Sequence, residues 1–331
     1  MKEMSMKLSK CILPAVLIVL AAVLLCIACA EPADAATKYE RGQLLSDSEQ
    51  RTEIGGKYFY SEYSRDNETW TSYMSIYVSD TVDGTAKRIA KLNSDKAYLS
   101  SWILSNGSKV YYSYKDAQTG KYKIYRMDVN GKNKKLIKTM SESYLNKNYT
   151  QSSYGEYTLS LSSVYNNKLY CVWGNGYWGK GRLYSVSLKD CKLTRRAGDF
   201  SPYAGYSSGG SRYLYGFSDS KQGLRVYDCK NDKIIRTISG RSIGTVGVKK
   251  GKLCYTELTD NGMKFYAASL SGKNKTLLLE IDFRNPGYFD PENVYYMDDE
   301  WTKYRYDVAT KEHVKLENLT EEEFDKYFPA V

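Results

Sequence analysis

Apolar and polar residues alternate along most of this chain, interrupted every several residues by Gly, Asn, Lys or Asp. The stretch IYRMDVNGKNKKLIK (Ile124–Lys138) reads as a strand, a turn at Asn130-Gly131 and a second strand, and looser copies of it recur. They begin at Ile76 (IYVSDTVDGTAKRIA), Leu183 (LYSVSLKDCKLTR), Leu224 (LRVYDCKNDKIIR), Phe265 (FYAASLSGKNKTLL) and Lys303 (KYRYDVATKEHVKL). Each copy has an upstream companion of alternating apolar residues. The companions are GGKYFYSEY, NGSKVYYSY, NNKLYCVW, GGSRYLYGFS, KKGKLCYTEL and PENVYYMDD, in which Tyr60, Tyr112, Tyr170, Tyr215, Tyr255 and Tyr296 hold one aligned position. Alternation of period two predicts strands. Asn-Gly between two such runs predicts a type I′ turn, whose two central residues need positive φ. One unit is then an inner strand such as LSSWIL (Leu99–Leu104), the tyrosine strand, the IYRMDV strand and an outer strand around Leu136 and Ile137.

Units that recur every roughly 40 to 60 residues fall in the range of propeller blades, which cannot stand alone because each buries its two faces only against neighbours. The expected fold class is all-β, a six-bladed β-propeller of four-stranded antiparallel blades. An open row of sheets is the alternative, and radial closure is preferred because it leaves fewer exposed edges. The expected organisation is a leader over residues 1–35, a linker or closing strand over 36–50, the propeller over 51–318 and a tail over 319–331. In the tail, LTEEEFDKYF predicts a short helix capped by Thr320, with Glu323 completing a capping box. Residues 38–50 either add an extra strand or lie across the rim. The polar run Ser141–Tyr157 is expected to be a long surface loop.

Composition agrees with strands: 33 tyrosines stand against 8 phenylalanines. The leader has Lys2, Lys7 and Lys10 ahead of an uncharged run from Cys11 to Ala30, then EPADAATK with small residues at Ala33 and Ala35. Three readings stay open. They are cleavage after Ala35, lipidation at Cys29 in a CIAC sequence that departs from the usual lipobox at Cys26, and retention of the run as a membrane anchor. All three place the rest of the chain outside the cytoplasm, secreted or held at the outer face of the cytoplasmic membrane.

The repeats resemble those of TolB-type six-bladed propellers, through the units IYRMDVNGKNKKL and FYAASLSGKNKTLL above all. They are most similar to the uncharacterised, tyrosine-rich exported forms found in bacteria. The resemblance covers roughly Ile54 to Leu316, and the third and fourth units match least well. It implies the propeller architecture, and it transfers no catalytic residues. TolB works as a periplasmic interaction partner, so the resemblance also implies a protein-binding role.

Net charge is +10, with lysines scattered and only KNKK and VKKGK forming tight clusters, both at turns and both read as solvated rim. Such a charge favours anionic partners. No compact basic helix or nucleic-acid module occurs, so nucleic acid is excluded as a partner. Outside the leader the cysteines are Cys171, Cys191, Cys229 and Cys254, read as small apolar strand residues, Cys171 and Cys254 at equivalent positions. There is no CxxC and His313 is the only histidine, so neither a metal nor a cofactor is expected.

Three constellations bear on function. GYSSG (Gly205–Gly209) satisfies the nucleophile pattern at Ser207 with His313 downstream, but a strand rather than a helix follows, which argues against a hydrolase elbow. Asp298, Asp299 and Glu300 form an acidic run suited to paired-carboxylate glycan chemistry, the basis of an alternative reading as a glycan-active propeller enzyme. Finally, Trp70, Trp173, Trp178 and Trp301 all fall at or beside the loop between the second and third strands of a unit, and Tyr177 joins them in WGNGYWGKG. Five N-x-S/T sequons, at Asn67, Asn106, Asn148, Asn274 and Asn318, receive no role. Tryptophan and tyrosine dominate interface hot spots, and the alternative reading is that these rings fill gaps between adjacent blades near the rim. The preferred reading is therefore a non-enzymatic binding or scaffold protein of the cell envelope. Trp70, Trp173, Tyr177, Trp178 and Trp301 are its candidate contact residues for a protein or an envelope polymer.

Overall fold

The computed structural model describes residues 40–43, 52–54, 56–81, 84–105, 108–147, 158–174, 181–201, 212–218, 220–240, 243–282 and 285–328. The leader, including Cys29, lies outside them. Among the described residues, twenty-four strands form six antiparallel sheets, five of them simple meanders in chain order and one a meander with β1 added at its edge. A lone strand, β1 (Glu40–Gln43), comes first. Sheet 1 is β2 (Thr52–Ile54), β3 (Lys57–Arg65), β4 (Ser72–Ser79) and β5 (Lys87–Asn93). Sheet 2 is β6 (Ala97–Ser105), β7 (Lys109–Asp116), β8 (Lys121–Asp128) and β9 (Lys135–Ser141), and β1 adds to its β6 edge with Gln43 opposite Trp102. Residues 40–43 thus supply an extra strand.

Helix α1 (Glu142–Asn146) follows, then sheet 3 with β10 (Thr158–Tyr165), β11 (Lys168–Gly174), β12 (Arg182–Ser187) and β13 (Leu193–Gly198). Sheet 4 has three described strands, β14 (Tyr213–Ser218), β15 (Gly223–Asp228) and β16 (Lys233–Ser239), with a single bridge from Ser201 to Phe217 at its inner edge. Sheet 5 is β17 (Ile243–Lys249), β18 (Lys252–Leu258), β19 (Met263–Ala268) and β20 (Thr276–Ile281). Sheet 6 is β21 (Asn285–Phe289), β22 (Asn293–Met297), β23 (Lys303–Asp307) and β24 (His313–Lys315). Helix α2 (Glu321–Tyr327) ends the described chain. Thr320 accepts from the Glu323 amide and Glu323 reaches back to the Thr320 amide. Tyr327 stacks on Tyr295, ring centroids 4.1 Å apart, so α2 lies on sheet 6.

Five apolar clusters join the sheets in sequence order, sheet 1 to 2, 2 to 3, 3 to 4, 4 to 5 and 5 to 6. Strand parity decides which residue enters which cluster, because successive side chains leave opposite faces. Tyr112, Tyr255 and Tyr296 face the preceding sheet. Tyr170 and Tyr215 face the following one instead, which corrects the single alignment expected from the sequence. The register explains this: Lys168 opposite Ser187 corresponds to Lys109 opposite Asp128, which puts Tyr170 at the place of Tyr111 and Cys171 at that of Tyr112. Cys171 and Cys254 accordingly point to opposite faces, toward sheet 2 and sheet 6 respectively.

At the position equivalent to Tyr112, four units carry a cross-strand tyrosine pair. Tyr60–Tyr77, Tyr112–Tyr125, Tyr255–Tyr266 and Tyr296–Tyr304 are near-parallel stacks with centroids 4.9 to 5.6 Å apart. Such pairs add about 0.5–1.5 kcal/mol beyond area burial. Sheets 3 and 4, the poorest sequence matches, substitute Cys171 opposite Tyr184 and Gly216 opposite Arg225. Phe200 fills the place over Gly216, where a Cβ would meet its ring at 2.5 Å.

The turn after β8 is longer than the two-residue type I′ turn expected from Asn130-Gly131. Its left-handed residues are Gly131 (φ +79°) and Asn133 (φ +53°), and the turn after β19 repeats them at Gly272 (φ +76°) and Asn274 (φ +53°). The reason lies in the neighbouring sheet: a Cβ on Gly131 would sit 3.1 Å from Ile89, and one on Gly272 3.0 Å from Arg236. The extra length carries Lys134 to 4.9 Å from the Tyr125 ring and Lys275 to 3.6 Å from the Tyr266 ring. Those lysines roof the tyrosine pairs by cation–π attraction, so the KNKK cluster is not simply a solvated rim.

The polar run after Ser141 also differs from a plain surface loop. Its first residues form α1, whose Leu145 is buried and whose carbonyl ends accept from buried Arg182, at 3.1 Å (Leu145) and 2.6 Å (Lys147).

Burial at the joints makes a direct prediction. Tyr112→Ala, removing a fully buried ring, is expected to cost roughly 3 kcal/mol or more. Tyr60→Ala, on the half-buried outer face of sheet 1, should cost about 1 kcal/mol. Urea unfolding measures both, and equal losses would contradict the assignment of joints.

Candidate functional site

Within each sheet, the loop between the second and third strands lies at the end opposite the two tight turns. In sheet 1 that loop is DNETWT (Asp66–Thr71) and in sheet 6 it is DDEWT (Asp298–Thr302). The two are built alike. Asp66 accepts from the Glu68 and Thr69 amides, both at 3.0 Å, and its own amide donates to Thr71 O at 2.9 Å. Asp298 accepts from the Glu300 and Thr302 amides at 3.0 and 2.9 Å, and its amide donates to Thr302 O at 3.1 Å. The backbone donors hold the Asp66 carboxyl below the usual carboxylate range.

This stapling forces the tryptophan before each closing threonine into the left-handed region, φ +58° at Trp70 and +63° at Trp301. A bulky residue with positive φ is unusual, and the conformation costs roughly 1–2 kcal/mol relative to glycine. Neither ring recovers that by burial: Trp70 is 68 % exposed and Trp301 66 %. Arg65 lies 4.5 Å from the Trp70 ring and covers one face of it. Near Trp301, Lys303 sits 5.3 Å from the ring of Phe324, itself partly exposed.

The other candidate residues are placed differently. Trp173 is fully buried in the joint between sheets 2 and 3, T-shaped against Tyr122 at 5.1 Å, and its Nε1 donates to Asn146 Oδ1 at 3.0 Å. It is therefore a core residue and not part of a contact surface, because its loop position sits inside the end of β11. Tyr177 and Trp178 lie outside the described residues, as does GYSSG with Ser207. His313 is in β24, its Nδ1 2.6 Å from the Tyr296 hydroxyl.

The acidic run offers little free chemistry. Asp298 is occupied by its two amide donors, while Asp299 and Glu300 are exposed beside Trp301. Elsewhere, Asp116, Asp228, Asp290 and Asp307 also accept backbone amides in turns. Among the described residues, no group of three or more His, Cys, Asp or Glu side chains could hold a metal ion, and no helix is long and apolar enough to cross a membrane. The four cysteines among the described residues are free thiols. Burial pushes the Cys171 thiol up to about 12 and, with Lys249 opposing, that of Cys254 up to about 11. Cys229 is raised by burial as well.

The residues that sequence reading missed here are Arg65 and Asp66, while Asp298 was read as part of an acidic run and not as the staple of its turn. Their signal was present as an aspartate four or three residues ahead of Trp-Thr, occurring twice.

No protein-family model and no curated protein sequence matches the chain. Among solved structures it is similar to an uncharacterised protein of Listeria monocytogenes, at 9 % identity and TM-score 0.45 over 85 % of this chain and 84 % of that one. It is similar to the β-propeller domain of the Trilobed protease from Pyrococcus furiosus, at 15 % identity and TM-score 0.42 over 84 % and 81 %. It is also similar to TolB from Acinetobacter baumannii, at 10 % identity and TM-score 0.34 over 79 % of each chain.

The thiol environments yield a test. Under native conditions an aromatic disulfide reagent should modify half-buried Cys191 and leave Cys171, Cys229 and Cys254 unlabelled until denaturant is added. Peptide mapping by mass spectrometry reads the pattern. Native labelling of Cys171 would contradict its place in the core.

Proposed function

We propose that the six sheets close into a six-bladed propeller. We also propose that the chain is an exported, non-enzymatic binding module of the cell envelope, presenting Trp70 and Trp301 to a protein or an envelope polymer. The observation that carries this reading is the pair of two-thirds-exposed tryptophans held in left-handed turns. Folding gains little from rings at that exposure, and the backbone conformation is one that residues other than glycine adopt at a cost. Large aromatic side chains kept under those terms suit contact with something outside the chain. The leader sequence supports an extracytoplasmic address, and the charge of +10 supports an anionic surface as the setting.

The glycan-active alternative requires two carboxylates free to act on one bond. Within the acidic run, Asp298 is instead bound to the backbone of its own turn.

The test uses the full chain carrying Trp70→Gly and Trp301→Gly together. Relief of the left-handed strain is offset by the greater freedom of glycine when unfolded, so stability should stay within about 1 kcal/mol of the parent. Co-sedimentation with isolated envelope fractions should fall at least ten-fold, and prior protease treatment of those fractions tells a protein ligand from a polymer. Undiminished co-sedimentation by the folded double variant would overturn the reading.

A further inference from the structure

The geometry points to a second binding site, a cleft of about 580 Å³ between sheets 1 and 2 that takes a sugar unit carrying one negative charge. It lies at the tight-turn end, where β3 begins and β4 finishes, whereas Trp70 follows the far end of β3. Nine residues of strand separate the two by roughly 25–30 Å, so this inference does not rest on the tryptophan reading.

The cleft lies among the ion pairs at this end of the molecule. A basic residue opens the second strand of most units, and an aspartate closes the third. At the joint of sheets 3 and 4, Ser187 replaces that aspartate, and Lys168 instead crosses to Asp232 of the next sheet. Tyr170 donates to the same carboxylate at 2.9 Å. At the joint of sheets 5 and 6, Lys250, in the turn before β18, crosses to Asp290 at 3.0 Å. These bridges tie one sheet to the next. Sheets 1 and 2 keep their aspartates, so Lys57 pairs with Asp80 and Lys109 with Asp128, each within its own sheet. The space between them stays open.

What remains is a cleft with a charged pair on each wall, Lys87 beside them, and Val78 and Val129 among the lining residues. Three ammonium groups and two carboxylates leave one net positive charge. The two valines offer an apolar surface for the C–H face of a ring. The paired charges and Asn130 provide acceptors and donors for hydroxyl groups. A neutral polyol would leave the extra ammonium unmatched, and a bare anion would leave the carboxylates facing it. A single acidic sugar satisfies both sets, and its negative group belongs on Lys87, an exposed residue whose substitution leaves the joint intact.

Titration calorimetry on the full chain tests this with four probes: glucuronate, glucose 6-phosphate, glucose and inorganic phosphate. At least one of the two anionic sugars should bind ten-fold or more tightly than glucose and than phosphate, and comparison of the two shows whether carboxylate or phosphate is the preferred source of charge. Lys87→Glu should weaken that sugar at least ten-fold without changing the thermal unfolding midpoint. Trp70→Gly should leave it unaltered. Failure of both anionic sugars to exceed glucose and phosphate, or equal binding by Lys87→Glu, would overturn the proposal.

Discussion

A meander of antiparallel strands presents two broad faces, and in this chain each joined face depends on the neighbouring sheet to keep it from water. Buried Tyr112, Tyr255 and Tyr296 make that dependence concrete. Each stacks on a tyrosine of the next strand and presses against the sheet before it, so intra-sheet pairing and inter-sheet packing involve the same rings. The lysines of the outer turns extend this. Lys134 and Lys275 reach their ring pairs only because Gly131 and Gly272 let the turns pass close to the preceding sheet. The joint, rather than the single sheet, is the unit that the residues specify.

Much of this was legible in residue order. Period-two alternation located the strands, and the repeats set the meanders; β7 and β8 fall where the tyrosine strand and IYRMDV were read. Helix α2 and its box at Thr320 and Glu323 are equally local, because side chain and backbone three residues apart settle them. What stayed hidden depended on contacts between units. The opposite facing of Tyr112 and Tyr170 is a one-residue register difference that inverts a strand face. The form of the turn at Asn130 answers to Ile89 in another sheet. The burial of Trp173 follows from α1 and Tyr122, neither adjacent in sequence.

The two ends of the sheets follow separate physical logics. At the loop end, short turns stapled by Asp66 and Asp298 hold aromatic rings out in solvent at a conformational cost. At the tight-turn end, ion pairs bridge neighbouring sheets at some joints and stay within one sheet at others. Surface chemistry here is a consequence of how the repeats diverged.

The dependence of each sheet on its neighbour is tested most directly by removing one. A chain ending at Asp282 lacks sheet 6 and uncovers Met263, Phe265 and Leu279 of sheet 5. Urea unfolding of this shortened chain should show a clearly lower midpoint than the parent, with broadened, less cooperative loss of structure. An unchanged midpoint and a single sharp transition would contradict the account, because sheet 5 would then be shown to hold without its partner.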